Sequence, residues 1–259
     1  MIAPVTAHAE LVALIREAER ILIFTGAGIS TGSGIPDYRG PRGVWKTKEP
    51  VMYQDFMSSD AARREYWAQK AEGWASFRDA EPNATHAAIV TLERAGKLAA
   101  VVTQNIDGLH DKAGTSPELL VELHGTNRAV ECQSCGERSA PQAHFDAIGA
   151  GGAPPACHCG GWLKPATISF GQSLKRDDLV RAAEAASSAD LAVALGSTLS
   201  VHPAATIPLL AVERGAAYVI INRGATEHDR LDALTLRLDG DVAELLPPAV
   251  EAALKPRRA

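Results

Sequence analysis

Positive charge is in short supply in this chain. Its 259 residues carry 26 Lys and Arg against 31 Asp and Glu, a formal net charge of -5. Nonspecific nucleic-acid binding runs on a basic surface, so this balance argues against direct nucleic acid as a partner. Long apolar runs are missing too. None approaches the roughly 20 residues that cross a bilayer. Glu10, Glu17 and Glu19 interrupt any basic-then-apolar leader. No membrane partner and a cytoplasmic location are therefore expected. Cysteine is scarce: the chain has four, all between Cys132 and Cys159. A disulfide framework is normally spread over a small secreted chain, so this clustering argues for a metal site instead. Aromatics are 5% of the residues, yet three of the four tryptophans (Trp45, Trp67 and Trp74) fall within residues 40–78.

What is present is an alternation of helical and strand-like segments. Residues 7–20 place Leu11, Leu14, Ile15 and Ala18 at helical spacing, and Ile21-Leu22-Ile23-Phe24 follows as a short apolar run. Similar runs occupy 99–103, 191–195 and 218–221. Ala-rich helical segments precede them at 84–95, 176–188 and 203–214, the last weakened by Pro208. Such alternation predicts an α/β fold, a Rossmann-like parallel sheet with helices on both faces. Ligands sit at the carboxyl ends of such strands. Four polar tails (26–30, 104–107, 196–200 and 222–223) should converge there. Two stretches break the rhythm, 40–78 and 126–165. They are read as insertions forming a second, smaller zinc-binding and helical domain. Residues 1–39, 79–125 and 166–259 remain for the sheet domain.

The first tail, Gly26-Ala27-Gly28-Ile29-Ser30, suits a tight turn with backbone N–H groups near a pyrophosphate, but a plain strand-to-helix turn reads the same way. The acidic residue that ordinarily follows about twenty positions on is absent, which disfavours a hydride-transfer dehydrogenase. Gly34-Ile35-Pro36-Asp37-Tyr38-Arg39 is either a surface turn with a local ion pair or a flap that brings Arg39 to ribose or phosphate. In Thr103-Gln104-Asn105-Ile106-Asp107, Asn105 and Asp107 are two apart and point the same way if extended. They could hold ribose hydroxyls or an ordered water, or cap the next helix. His124 precedes Gly125 and has an unperturbed pKa suited to taking a proton near neutrality. His110 competes for that role but lies deeper in the following helix, and a structural role is expected for it.

Cys132-x2-Cys135 and Cys157-x-Cys159 supply four thiolates, enough for a closed tetrahedral zinc site of structural type. The second pair is unusually tight. A sharp turn at Gly160-Gly161 could aim both sulfurs at one ion, or His158 could replace one of them.

In this order, these motifs resemble the sirtuins, the NAD-dependent protein lysine deacylases. Lys164-Pro165, Phe170-Gly171, Gly196-Ser197 and Ile221-Asn222 extend the likeness, which covers about residues 15–247. Tyr66-Trp67-Ala68 with Gly73-Trp74 is similar to the branch with weak deacetylase activity. The resemblance implies NAD as co-substrate, zinc, and acyl-lysine proteins or peptides as partners. It makes Gly26, Ala27, Gly28 and Ser30 the phosphate site. It makes Asp37, Tyr38 and Arg39 a cover over the nicotinamide ribose. Gln104, Asn105, Ile106 and Asp107 would hold that ribose and the nicotinamide. Gly196, Ser197, Thr198, Asn222, Arg223 and Val242 would line the adenosine side. Ile168, Phe170, Gly171 and Val201 would flank the acyl-lysine.

The implied chemistry breaks the nicotinamide bond while the acyl oxygen attacks the ribose carbon. His124, with Asn105 and Asp107 beside it, then deprotonates a ribose hydroxyl. The products are lysine, nicotinamide and O-acyl-ADP-ribose. Gln172, Ala166 and the Ser197-Thr198 order depart from the family pattern and bear on substrate affinity. Relatives that take acidic acyl groups carry a Tyr and an Arg three apart. Here Gln69 follows Tyr66 at that spacing, with Lys70 next, so a strong succinyl or malonyl preference is not expected. A protein mono-ADP-ribosyltransferase is the alternative reading, and an NAD-sensing module a third.

Overall fold

The computed structural model describes residues 4–37, 43 and 48–256. Tyr38, Arg39 and Trp45 lie outside the described residues. In chain order the first elements are α1 (Pro4–Glu17), β1 (Ile21–Thr25), α2 (Tyr53–Ser58), α3 (Asp60–Asp79), α4 (Ala84–Arg94), β2 (Leu98–Thr103), α5 (Leu109–Ala113) and β3 (Leu120–Glu122). They are followed by β4 (Gly125–Cys132), β5 (Arg138–Ser139), α6 (Gln142–Gly149), β6 (Leu163–Thr167), α7 (Arg176–Ser187), β7 (Leu191–Leu195), α8 (Ile207–Val212), β8 (Ala217–Asn222), β9 (Leu236–Asp239) and α9 (Val242–Leu254).

Six strands form one parallel sheet in the order β3-β2-β1-β7-β8-β9. The four central strands, β2, β1, β7 and β8, read as near-continuous apolar runs because both of their faces are buried. Along β1, Ile21 and Ile23 join the core under α1, α4 and α9, with Leu11, Ile15, Ile89 and Leu246. Leu22 and Phe24 turn the other way, into the core with Ala182, Ala186, Ile207 and Ala211 of α7 and α8. Pro208 is accommodated because it falls in the first turn of α8, where an amide donor is not needed.

The second layer is small. β4 pairs with β5 and β6 in a three-stranded antiparallel sheet. Helices α3 and α6 pack on it through Trp67, Phe145, Val130 and Leu163. The Trp67 indole donates to the Leu163 carbonyl at 3.1 Å, and Trp74 stacks on Phe145 at 4.1 Å between centroids. Trp67 and Trp74, the two described tryptophans of 40–78, therefore belong to the core of this layer. Among the described residues no helix is long and apolar enough to cross a membrane.

Candidate functional site

The strand order reverses between β1 and β7, the place in such a sheet where a ligand crevice is expected. The backbones press together there. Gly26 N donates to Leu195 O at 3.0 Å and Gly28 N to Gly196 O at 2.8 Å. A Cβ on Gly28 would stand 2.7 Å from Gly196 Cα, closer than atoms pack. Gly196 adopts φ 59°, and a Cβ there would meet Ile29 N at 2.6 Å. The glycine turn thus serves first to let two strand ends touch. The Gly26 and Gly28 amides, expected from sequence to face a pyrophosphate, donate within the protein instead.

A cleft of about 1370 Å³ lies over this junction. Sites for one small ligand run to roughly 300–1,000 Å³, so there is room for two substrates. Its walls contain Gly26, Ala27, Gly28, Ser30, Asp37, Gln104, Asn105, Ile106 and Asp107 from one side of the sheet. Gly196, Ser197, Thr198, Val201, Asn222, Arg223 and Val242 come from the other side, and Ile168, Phe170 and Gly171 follow β6. His124 is in the same wall. All the candidate catalytic, cofactor and substrate residues among the described ones therefore line one cavity.

A hydrogen-bond network holds the polar tails. The Asn105 side-chain amide donates to Gly26 O and to Ser30 Oγ, each at 3.2 Å. Ser30 Oγ donates to Asp107 Oδ2 at 2.8 Å, and Leu109 N donates to Asp107 Oδ1 at 2.9 Å. Asn105 and Asp107 therefore converge on one hydroxyl, and Asp107, one residue before the Gly108 N-cap, also accepts from the first amide of α5. The two readings of Asp107 are compatible. Burial pushes its carboxyl up from the usual range, and the Leu109 and Ser30 donors oppose that. Gln104 Nε2 donates to Ser197 Oγ at 2.8 Å and ties the β2 tail to the β7 tail.

His124 sits between β3 and β4. Its Nδ1 lies 3.0 Å from the Gln104 carbonyl oxygen. A carbonyl only accepts, so in the neutral ring Nδ1 carries the proton and Nε2 the lone pair. That arrangement suits a general base.

Sequence reasoning singled out Tyr66 only by its spacing to Gln69 and Lys70, and missed Thr167 and Ser169 beside it. Tyr66, Thr167 and Ser169 line the end of the cleft nearest the small layer. Tyr66 Oη and Thr167 Oγ1 are 3.3 Å apart, and Lys70 Nζ stands 5.6 Å from the Tyr66 ring centroid. Gln69 turns its amide to Glu49 O and Glu65 Oε1. The spacing of Tyr66, Gln69 and Lys70 was legible, but the neighbours from β6 were not, since 101 residues separate Tyr66 from Thr167.

The four cysteine sulfurs lie within 4.8 Å of one another. Cys132 and Cys159 Sγ are 3.6 Å apart, and Cys135 and Cys157 Sγ 3.8 Å. These are the edges of a tetrahedron with Zn–S bonds of about 2.3 Å, and far longer than a disulfide. The donor set therefore fits zinc. Amides of Cys135 and Ser134 aimed at Cys132 hold its thiol down to about 6, whereas burial and the neighbouring sulfurs push Cys135 up and Cys157 up to about 12, so a cation's charge would be needed to hold all four as thiolates. Gly161 makes the tight second pair workable, because a Cβ there would stand 2.7 Å from Cys132 Sγ. His158 Nδ1 is instead 3.0 Å from Glu137 Oε2.

The sequence model described as the Sir2 family matches residues 26–203. The chain is 42% identical over 242 residues to the NAD-dependent protein deacetylase of Rhodopseudomonas palustris, covering 92% of this chain and 93% of that one. It is 41% identical over 241 residues to the protein of the same name from Haloarcula marismortui, covering 92% and 91%. Among solved structures, Sir2 with a p53 peptide and NAD+ superimposes with a TM-score of 0.83 at 34% identity, covering 93% of this chain and 96% of that chain.

Proposed function

This chain belongs to the Sir2 family, and from that premise we propose that its cleft binds NAD and removes acyl groups from protein lysine, giving nicotinamide and O-acyl-ADP-ribose. One observation carries the reading. Ser30, Asn105 and Asp107 form a hydrogen-bonded group in the same cavity as a histidine whose Nδ1 faces a carbonyl. A binding module needs no such base.

In this reading Asn105 and Asp107 hold the nicotinamide-ribose end of NAD. His124 Nε2 takes the proton of a ribose hydroxyl, and the Gln104 carbonyl fixes the ring that does so. Gly26, Ala27, Gly28 and Ser30 border the phosphates, and Asp37 lies toward the ribose. Gly196, Ser197, Thr198, Asn222, Arg223 and Val242 border the adenosine. Ile168, Phe170, Gly171 and Val201 flank the acyl-lysine, which enters between the sheet layer and the small layer. Cys132, Cys135, Cys157 and Cys159 would hold zinc, which would tie the small layer together and supply no catalytic chemistry, because four thiolates would leave it no open position.

Mass spectrometry after mixing the protein with NAD and acyl-lysine peptides tests this. Deacylated peptide with O-acyl-ADP-ribose is expected. ADP-ribose attached to a protein would instead mark the transferase, and bound NAD without nicotinamide release would mark a sensor.

A further inference from the structure

Behind the site runs a buried chain of hydrogen bonds that the proposed reaction does not use. His110 Nε2 lies 3.1 Å from Thr25 Oγ1. Thr25 Oγ1 donates to Thr103 Oγ1 at 2.7 Å, and Asn105 N donates to the same Thr103 oxygen at 3.0 Å. From Asn105 the line continues through its side chain to Ser30 Oγ and Asp107 Oδ2. Three separate segments contribute: the end of β1, the end of β2 and helix α5. Thr25, Thr103 and His110 are each no more than 2% exposed.

The directions of these bonds are constrained. Thr103 Oγ1 accepts from both the Asn105 amide and the Thr25 hydroxyl. Thr25 Oγ1 has then given its hydrogen away and must accept from His110, so Nε2 bears the imidazole proton. The opposite sense would put an N–H on His110 Nδ1, which is enclosed without a partner. A buried orphan donor is rarer than a buried orphan lone pair. The ring also stays neutral. Burial, with His86 5.0 Å away between ring centroids, brings the His110 pKa down to about 3. A neutral, singly protonated ring gives the chain one sense at all ordinary pH.

We propose that His110 is a positioning residue, which fixes the backbone of Asn105 through Thr25 and Thr103 and so sets the amide that faces NAD. This rests on the reading of the cleft as an NAD site. Buried networks of this kind hold their members more firmly than isolated pairs do. A small displacement of a group near the reacting bond costs large factors in rate.

The test compares the full chain with His110→Phe, His110→Gln, Thr25→Val and the His110→Phe, Thr25→Val double variant. Phe keeps the ring and removes both nitrogens, whereas Gln returns an N–H near the position of Nε2. Nicotinamide release is followed with NAD and an acetyl-lysine peptide, and NAD affinity by calorimetry. His110→Phe and Thr25→Val should each lower kcat about 10-fold, with the peptide KM within about twofold. The double variant should be no worse than either single one, because both cut the same chain. His110→Gln should regain most of the rate, and NAD affinity should follow the same order. Additive losses in the double variant, equal losses with Phe and Gln, or losses that track the melting temperature would overturn the proposal. A wild type that releases no nicotinamide defeats the functional reading alone. The calorimetry then decides the relay, since equal NAD affinity in wild type and His110→Phe would sink it.

Discussion

In the six-stranded layer, Ile21 and Ile23 face one apolar core and Leu22 and Phe24 another, so the central strands are gripped from both sides. In the three-stranded layer, one core serves: Trp67, Phe145, Val130 and Leu163 on the helical side of a short antiparallel sheet. Its far end is a loop region rich in glycine and proline, drawn in by four cysteines. The first layer is stable by area and can leave its strand ends polar. The second is too small for that. It rests on large aromatic side chains, and its four cysteines offer a site where a metal would add what the core lacks. The division follows the chemistry. The layer with a redundant core carries Asn105, Asp107 and His124, and the layer with the sparse core supplies a wall.

Metal removal should break this contrast most sharply. Cys132→Ala, or treatment with a chelator, should empty the cysteine site, and structural zinc binding is of order 10 kcal/mol. Metal analysis and hydrogen exchange check it. Zinc should vanish, β4–β6 should lose protection, and β1, β2 and β7 should keep it. A metal-free variant with full activity and protection would refute the assignment. His124→Ala should do the opposite. Its effect on deacylation should be about 10² to 10⁴-fold or more, the usual range for a general base, with the melting temperature nearly unmoved. Unchanged turnover would remove His124 from the mechanism.

Trp67→Ala should cost about 3–5 kcal/mol by denaturant unfolding, since it opens the centre of the small core. Gly28→Ala should cost about 1–3 kcal/mol, as its Cβ would collide with Gly196, and it should weaken NAD binding by parting the two strand tails.

The effect of pH is of similar size to that of Gly28→Ala, and subtler to isolate. Burial brings His86 down to about 4 and His110, also near His86, to about 3, from 6.5. Well above 6.5 both are neutral whether folded or unfolded, so they carry no pH dependence there. As pH falls below that value the unfolded chain takes up protons that the folded one refuses, and stability drops. At pH 5 the loss is about 2 kcal/mol for each ring. Urea unfolding at pH 7 and pH 5 should show His110→Phe losing less than wild type across that interval. Equal losses would contradict the burial argument.

Much of the sheet was legible because buried parallel strands are apolar without interruption. β1, β2, β7 and β8 fall on the predicted runs, and each ends in glycine or in polar residues. β9 and α9 were not legible. Leu236-Arg237-Leu238-Asp239 is a short alternating segment at the sheet edge, and Pro247 and Pro248 stand inside α9, where proline ordinarily forbids a helix. The helix persists because Leu246, Ala249, Val250 and Ala253 pack on the sheet core.

Residue types and their order sufficed to mark which side chains could carry the chemistry and which cysteines could hold a metal. That information is local: a glycine turn, an amide two residues from a carboxylate, and sulfurs in two close pairs. Distance along the chain concealed the rest. Only the folded molecule brings Ser30 to Asp107 across 77 positions, presses Gly28 against Gly196, and gives His110, expected to be merely structural, a line of hydrogen bonds to Asn105. Such pairings depend on strand order and register, which are set by the packing of whole layers rather than by any short segment.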